Sequence, residues 1–272
     1  MVSKVAVASA YVGHPPEYLA SALENHSQYC SIHRYDYHFY QDKDILGLMG
    51  RLPGDANMMT WFKPYILLDL FAQGYEYVFW TDTDSLFTVL GKSFGDLQER
   101  RASFIFTGDA WDLCSAGHLW FRNTAFSEEF LRAWLKWEGL SLPNLHTSHK
   151  NQSHQIADQP ALNIQLHGGM HFDPERAVDL FNGVNGHRVN VDRTHKNFRW
   201  FFSPTRAGNL KRAQSLIHPS LSGECTVIVQ SRLNSYPFRL WPAQKAKRDH
   251  PIVHFPGASK DQLLRYAARC IA

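Results

Sequence analysis

The segment Tyr75–Trp80 (YEYVFW) constrains this chain more than any other, because its aromatic and β-branched residues suit a buried pleated surface and it runs straight into Thr81-Asp82-Thr83-Asp84. In extended backbone, residues i and i+2 project to the same side, so Asp82 and Asp84 can converge on one point. Two turn or capping acids are the competing reading of Asp-x-Asp taken alone. The preceding strand weighs against it, since a buried strand that delivers two acids to a sheet edge has little structural purpose. Strand C-terminal ends are also where open α/β sheets place their ligands.

The rest of the chain alternates in the way such a sheet needs. Lys4–Ala10 reads as a buried first strand, Glu17–Tyr29 as a helix and Tyr35–Gln41 as an alternating strand. Thr60 is a candidate cap for a helix through Phe71, which Gly74 stops. Ser103–Thr107 and Leu119–Arg122 read as strands, and Ser127-Glu128-Glu129 opens a helix that buries Phe130, Leu131, Trp134 and Leu135. Gly139–Gln155 is polar and loop-like, Asp158–Leu166 and Lys260–Cys270 read as helices, and Thr226–Gln230 as a strand. Residues 186–225 have no clear pattern. With 44% hydrophobic and 14% aromatic residues the chain can bury a large core. The expectation is one α/β domain spanning residues 1–272.

Charge and cysteine usage narrow the classes further. Residues 186–272 hold 15 Lys and Arg against 4 Asp and Glu, leaving 13 against 21 for the remainder. That basic third reads either as a solvated face or as a surface for an anionic partner, a diphosphate or an acidic membrane. No nucleic-acid motif accompanies it. Cys30, Cys114, Cys225 and Cys270 lack CxxC spacing, which argues against a zinc or disulfide framework and for buried or incidental thiols. No apolar run is long enough to cross a bilayer and no signal segment opens the chain, so a soluble, cytoplasmic protein is expected.

Two further groups bear on the acid pair. Ile252-Val253 leads into His254-Phe255-Pro256-Gly257-Ala258-Ser259-Lys260. His254 can add an imidazole to Asp82 and Asp84, a donor set that suits Mn²⁺ or Mg²⁺. Gly257 would let backbone approach a phosphate and Lys260 would add a point charge to it. A satisfied core or surface histidine is the alternative for His254. Asp158-Gln159 opens a helix after the polar loop, and for Asp158 a helix cap competes with a chemical role.

Together these stretches resemble glycosyltransferase family 34. Asn25–His33, with Asn25, Tyr29, Cys30 and His33, looks like the family's N-x-x-x-Y-C-x-x-H; Trp61-Phe62-Lys63 is similar to its W-x-K; Trp80–Phe87 is similar to its W-x-D-x-D-A-L-F. Gly117–Asn123 with Trp134, Asp158–Leu162, Asn234-Ser235-Tyr236 and His254–Gly257 resemble its later motifs, in the same order. Ala157 stands where plant members carry a further Asp, Ser115-Ala116 replaces an expected Asn, and the distance from His254 to Lys260 is closer to the related family 8.

The resemblance implies a GT-A fold, a mixed and mostly parallel sheet flanked by helices, and a metal-dependent retaining transfer from a nucleotide sugar. By the same resemblance Asp82, Asp84 and His254 hold Mn²⁺ (or Mg²⁺), and Asp158 and Gln159 flank the sugar as the catalytic candidates. Ala8, Ser9, Lys63, Asp82, Gly257 and Lys260 form the expected donor-binding set, with the donor half at about 1–125 and the closing, acceptor-side half at about 126–272. The expected partners are a UDP-sugar and an oligosaccharide or polysaccharide acceptor, with peripheral contact to an acidic membrane surface also open. A Golgi lumenal location follows if an N-terminal anchor has been removed. A GT-A-fold binding protein without turnover is the alternative, which retention of both acids, His254 and Lys260 counts against. A two-metal phosphoesterase would need more clustered ligands than these three.

Overall fold

The computed structural model describes residues 3–52, 60–108, 113–140, 156–170, 207–229, 232–233, 235, 250–255, 263–265 and 267. Its elements follow the chain as β1 (Val5–Ala10), α1 (Leu19–His33), β2 (Asp36–Tyr40), α2 (Asp42–Met49), α3 (Phe62–Ala72), β3 (Tyr77–Thr81), β4 (Ser85–Phe87) and α4 (Gly95–Gln98). There follow β5 (Phe104–Thr107), β6 (His118–Arg122), α5 (Ala125–Leu135), α6 (Asp158–Gly168), α7 (Ala207–Ser215), β7 (Cys225–Ile228) and β8 (Ile252–His254).

Six strands form the central sheet in the order β2-β1-β3-β6-β5-β7. β1 runs parallel to β2 and β3, β5 parallel to β7, and β6 alone is inserted antiparallel between β3 and β5. Every residue of β1 and β3 is buried, as strands covered on both faces require. Alternation along β3 feeds two cores. Val78 and Trp80 pack with Trp61, Ile66, Leu70, Phe121 and Trp134, while Tyr77 and Phe79 pack on the other face with Tyr29, Phe94 and Trp120.

Several local expectations change in physical detail. α1 runs on to His33, where Arg34 takes a left-handed conformation (φ 57°) and Tyr35 N–H reaches back to Cys30 O at 2.9 Å. α2, which the sequence reading missed, is opened by a reciprocal pair in which Gln41 N–H donates to the Asp44 carboxylate at 2.9 Å. α5 starts before Ser127: Thr124 Oγ1 accepts the Ser127 N–H at 3.1 Å and is the cap. Leu135 of that helix is half-buried rather than buried. Thr60 does not cap α3, whose preceding residue Trp61 makes no side-chain cap. Gly74 does end that helix, at φ 83°. Cys30, Cys114 and Cys225 are buried free thiols, as expected. Among the described residues, no helix is long and apolar enough to cross a membrane. Most of the expected 260–270 helix and of the 139–155 loop lies outside the described residues, as does Cys270.

Candidate metal centre and its carboxylate wing

β3 ends by handing Asp82 across to β6, where the Asp82 N–H donates to Gly117 O at 2.9 Å. The chain then folds tightly. Ser85 Oγ donates to Asp82 O at 2.6 Å and accepts the Thr81 hydroxyl at 2.7 Å, which turns the backbone into β4. β4 pairs antiparallel with β8, Ser85 facing His254, and the Phe255 N–H donates to Asp84 O at 2.7 Å. This small two-stranded sheet carries His254 across the long sequence gap to the acid pair. One side-chain atom from each of Asp82, Asp84 and His254 lies within 4.8 Å of the others.

The polar environment of this cluster is asymmetric. Asp82 Oδ1 accepts the Trp80 indole N–H at 2.8 Å and lies 3.3 Å from Lys63 Nζ. Its Oδ2 faces Gly117, where a side-chain carbon would come within 3.3 Å. His254 Nε2 is 3.1 Å from Asp84 Oδ1. Burial pulls the His254 pKa down, but the charge and hydrogen bond of Asp84, with Asp82 behind it, outweigh burial and raise it. Burial also raises Asp82, opposed by the Lys63 ammonium. Two partly buried acids this close repel, and a divalent cation bound between them would relieve that repulsion. The donor set of two carboxylates and one imidazole fits Mn²⁺ or Mg²⁺. Among the described residues this is the one group of three or more metal-ligating side chains.

Helix α1 clamps the segment that follows the acids. The Asn25 side-chain amide exchanges two hydrogen bonds with the Phe87 backbone, at 2.7 and 3.0 Å, as a neighbouring strand would. His26 Nε2 meets Ser85 O at 3.0 Å, the Tyr29 ring stacks on Phe87 at 3.8 Å, and His33 Nε2 meets Leu90 O at 2.7 Å. Asn25, Tyr29 and His33 are spaced four apart and so share one helix face. None of them belongs to the cation cluster; the motif they form is a brace for β4.

The second wing is built on Lys63 and Asp158. Lys63 is 3% exposed, and its Nζ lies 3.0 Å from Asp158 Oδ2 and donates to Ala116 O at 3.1 Å. Burial works against its charge, yet Asp158 and Asp82 outweigh burial and raise its pKa, so it remains an ammonium. The other Asp158 oxygen, Oδ1, accepts the Thr60 hydroxyl at 2.7 Å. Asp158 is the first residue of α6, preceded by Ala157 at the cap position with no side-chain cap bond. The cap reading of Asp158 is therefore wrong, and Thr60, expected to cap α3, instead holds this carboxylate.

Two buried tryptophans fix the entry of α6. Trp61 Nε1 donates to Ile156 O at 3.2 Å and Trp134 Nε1 to Asp158 O at 3.0 Å. Further along, Gln159 Oε1 accepts the Ala116 N–H at 2.9 Å, and Asn163 exchanges two hydrogen bonds with the Cys114 backbone, each at 2.9 Å. The segment 114–116 thus ties α6 to Gly117 and so to the cation cluster.

Of the other expected donor-side residues, Ala8 is buried in the core, paired with Trp80, which itself lies two residues before Asp82. Ser9 is fully buried and its hydroxyl shares a 2.7 Å hydrogen bond with Tyr37. Gly257 and Lys260 lie outside the described residues. The sequence reading missed Tyr18, whose phenol hydrogen-bonds the Thr83 side chain between the two acids and feels the charges of Asp84 and Asp82. Burial first, and then Asp84, push its pKa well up, so it stays neutral. The signal available for it was position alone, in the loop that leaves the C-terminal end of β1.

No protein-family model matches the sequence, and no curated protein matches it. Solved structures do. A glycosyltransferase involved in glycosylation of the major capsid of PBCV-1 superposes over 98% of this chain and 99% of its own, with a TM-score of 0.55 and 13% identity. The galactosyltransferase LgtC, solved with donor and acceptor sugar analogues, covers 98% and 96% at a TM-score of 0.43 and 9% identity. The glycosyltransferase GlyE of Streptococcus pneumoniae covers 98% of this chain and 61% of its own at 0.44 and 13% identity. The architecture is the GT-A glycosyltransferase fold: a mixed, mostly parallel sheet between helices, with the acid pair at the end of β3.

Proposed function

We propose that the chain is a metal-dependent, retaining α-glycosyltransferase that moves a hexose or pentose from a nucleotide sugar to a glycan hydroxyl. The observation that carries this reading is the joining of Asp82, Asp84 and His254 into one cluster, with Lys63 linking Asp82 to Asp158. Asp82, Asp84 and His254 would hold Mn²⁺ or Mg²⁺, which when bound neutralises a departing diphosphate. Asp158 is the carboxylate we assign to the positive charge that develops at the anomeric carbon, as in other glycosyl transfers. Thr60 and Lys63 hold that carboxylate in place, one on each of its oxygens. Gln159, anchored through Ala116, lies beside it on the first turn of α6. The predicted donor order is UDP-galactose, then UDP-xylose, then GDP-mannose, with Ala8, Ser9, Gly257 and Lys260 on the donor side.

A thermal-shift panel of nucleotide sugars with and without Mn²⁺ tests this, because a ligand that binds only the folded chain raises its apparent stability. At least one donor should raise the melting temperature, and only when Mn²⁺ is present. If no nucleotide or nucleotide sugar shifts it under either condition, the proposal fails.

A further inference from the structure

His118 has no part in the transfer proposed above, yet its ring is fully buried at the edge of the cation cluster. It opens β6, opposite Thr81, and stands edge-on to His254, with ring centroids 5.1 Å apart and planes at 82°. It also stacks loosely on Phe79, at 6.1 Å and 24°. Its place directly behind His254, one of the three side chains of the cation cluster, calls for a reason.

The preceding residue touches the same ligands. Gly117 accepts the Asp82 N–H, and a side-chain carbon on it would lie 3.0 Å from His254 Cε1, 3.4 Å from His254 Nδ1 and 3.3 Å from Asp82 Oδ2. Contacts that short force a neighbour to move. Gly117 is not among the glycines with positive φ, so its backbone would accept alanine without strain. What the position requires is an empty space between two ligands.

We propose that Gly117-His118 is the positioning element of the cation site. Gly117 leaves the gap through which Asp82 and His254 close on one ion, and His118 packs against the His254 ring and fixes its tilt. The inference rests on the cation reading of Asp82, Asp84 and His254. Groups that orient metal ligands from behind commonly change affinity as strongly as the ligands' own geometry does.

The test is Mn²⁺ binding to the protein with UDP present, followed by electron paramagnetic resonance of free Mn²⁺, with folding checked by circular dichroism. Gly117→Ala and His118→Ala should each weaken Mn²⁺ binding by about tenfold or more. His118→Phe keeps a flat ring against His254 and should recover most of that loss. Unchanged affinity in either alanine variant, or no recovery in His118→Phe, overturns the inference while leaving the cation site standing. Absence of Mn²⁺ binding in the wild type overturns both.

Discussion

Lys63 is buried within 3.3 Å of Asp82 and 3.0 Å of Asp158, so one ammonium serves two carboxylates with different proposed tasks. Removing a partner from a buried ion pair leaves an uncompensated charge, which typically costs about 3–5 kcal/mol. Lys63→Met, which keeps the length and removes the charge, should lose that much stability in urea denaturation; a loss under about 1 kcal/mol would place the pair with weak surface bridges. Asp158→Asn is informative in a different way. Asparagine keeps an acceptor for Thr60 but removes the charge that faces Lys63, so the melting temperature should fall along with turnover. Turnover should drop by about 10²-fold or more, the scale of one preorganised electrostatic group. Near-normal turnover in the folded variant would confine Asp158 to the ion pair. Trp61-x-Lys63 and Asp158-Gln159 were legible as motifs in the sequence. Their joint function was not, because the contact between Thr60, Lys63 and Asp158 spans nearly a hundred residues and leaves no local pattern.

At the scale of elements, the brace of α1 on β4 carries its own prediction. His26 is fully buried, with Nε2 at Ser85 O and Nδ1 3.2 Å from the Tyr37 hydroxyl. Nε2 is then the protonated nitrogen and donates to the carbonyl, while Tyr37 donates to Nδ1. Burial lowers the pKa of His26 from 6.5 to about 4, despite the Ser85 bond that acts to raise it. The unfolded chain therefore binds a proton near pH 6.5 that the folded chain refuses until about pH 4, and stability falls as pH drops through that window. His26 alone contributes a loss of up to about 3 kcal/mol. Denaturant midpoints of wild type and His26→Gln should diverge between pH 7 and 4, the variant showing the shallower decline; parallel curves would remove His26 from the account. Element types were legible wherever hydrophobic period was strong, as in β1, β3 and α5. α2 was not, since its eight residues bury only Ile45 and the capping pair Gln41 and Asp44 is its main sequence signal. The start of α5 slipped by a few residues because Thr124 and Ser127 are both good caps and only the backbone geometry chooses.

For the whole molecule, a GT-A fold follows from one pattern: a buried mixed sheet whose acid pair emerges at a strand end, closed by a late strand that returns with His254. The acid pair was legible because a buried strand seldom ends in Asp-x-Asp without a use for it. The closure was legible only through the resemblance, since nothing local to Ile252–His254 says that it pairs with Ser85–Phe87. The role of Gly117 was hidden for the same reason: the space it leaves exists only after β6 and β8 meet. The central claim is that this closure makes a cation-dependent donor site. Its most direct test is nucleotide release from UDP-galactose, UDP-xylose and GDP-mannose without acceptor, compared in Mn²⁺ and in EDTA for wild type and Asp84→Ala. The account predicts slow release from one donor in Mn²⁺, none in EDTA, and none in a folded Asp84→Ala at either condition. Equal release in Mn²⁺ and EDTA, or an Asp84→Ala protein as active as wild type, would contradict it.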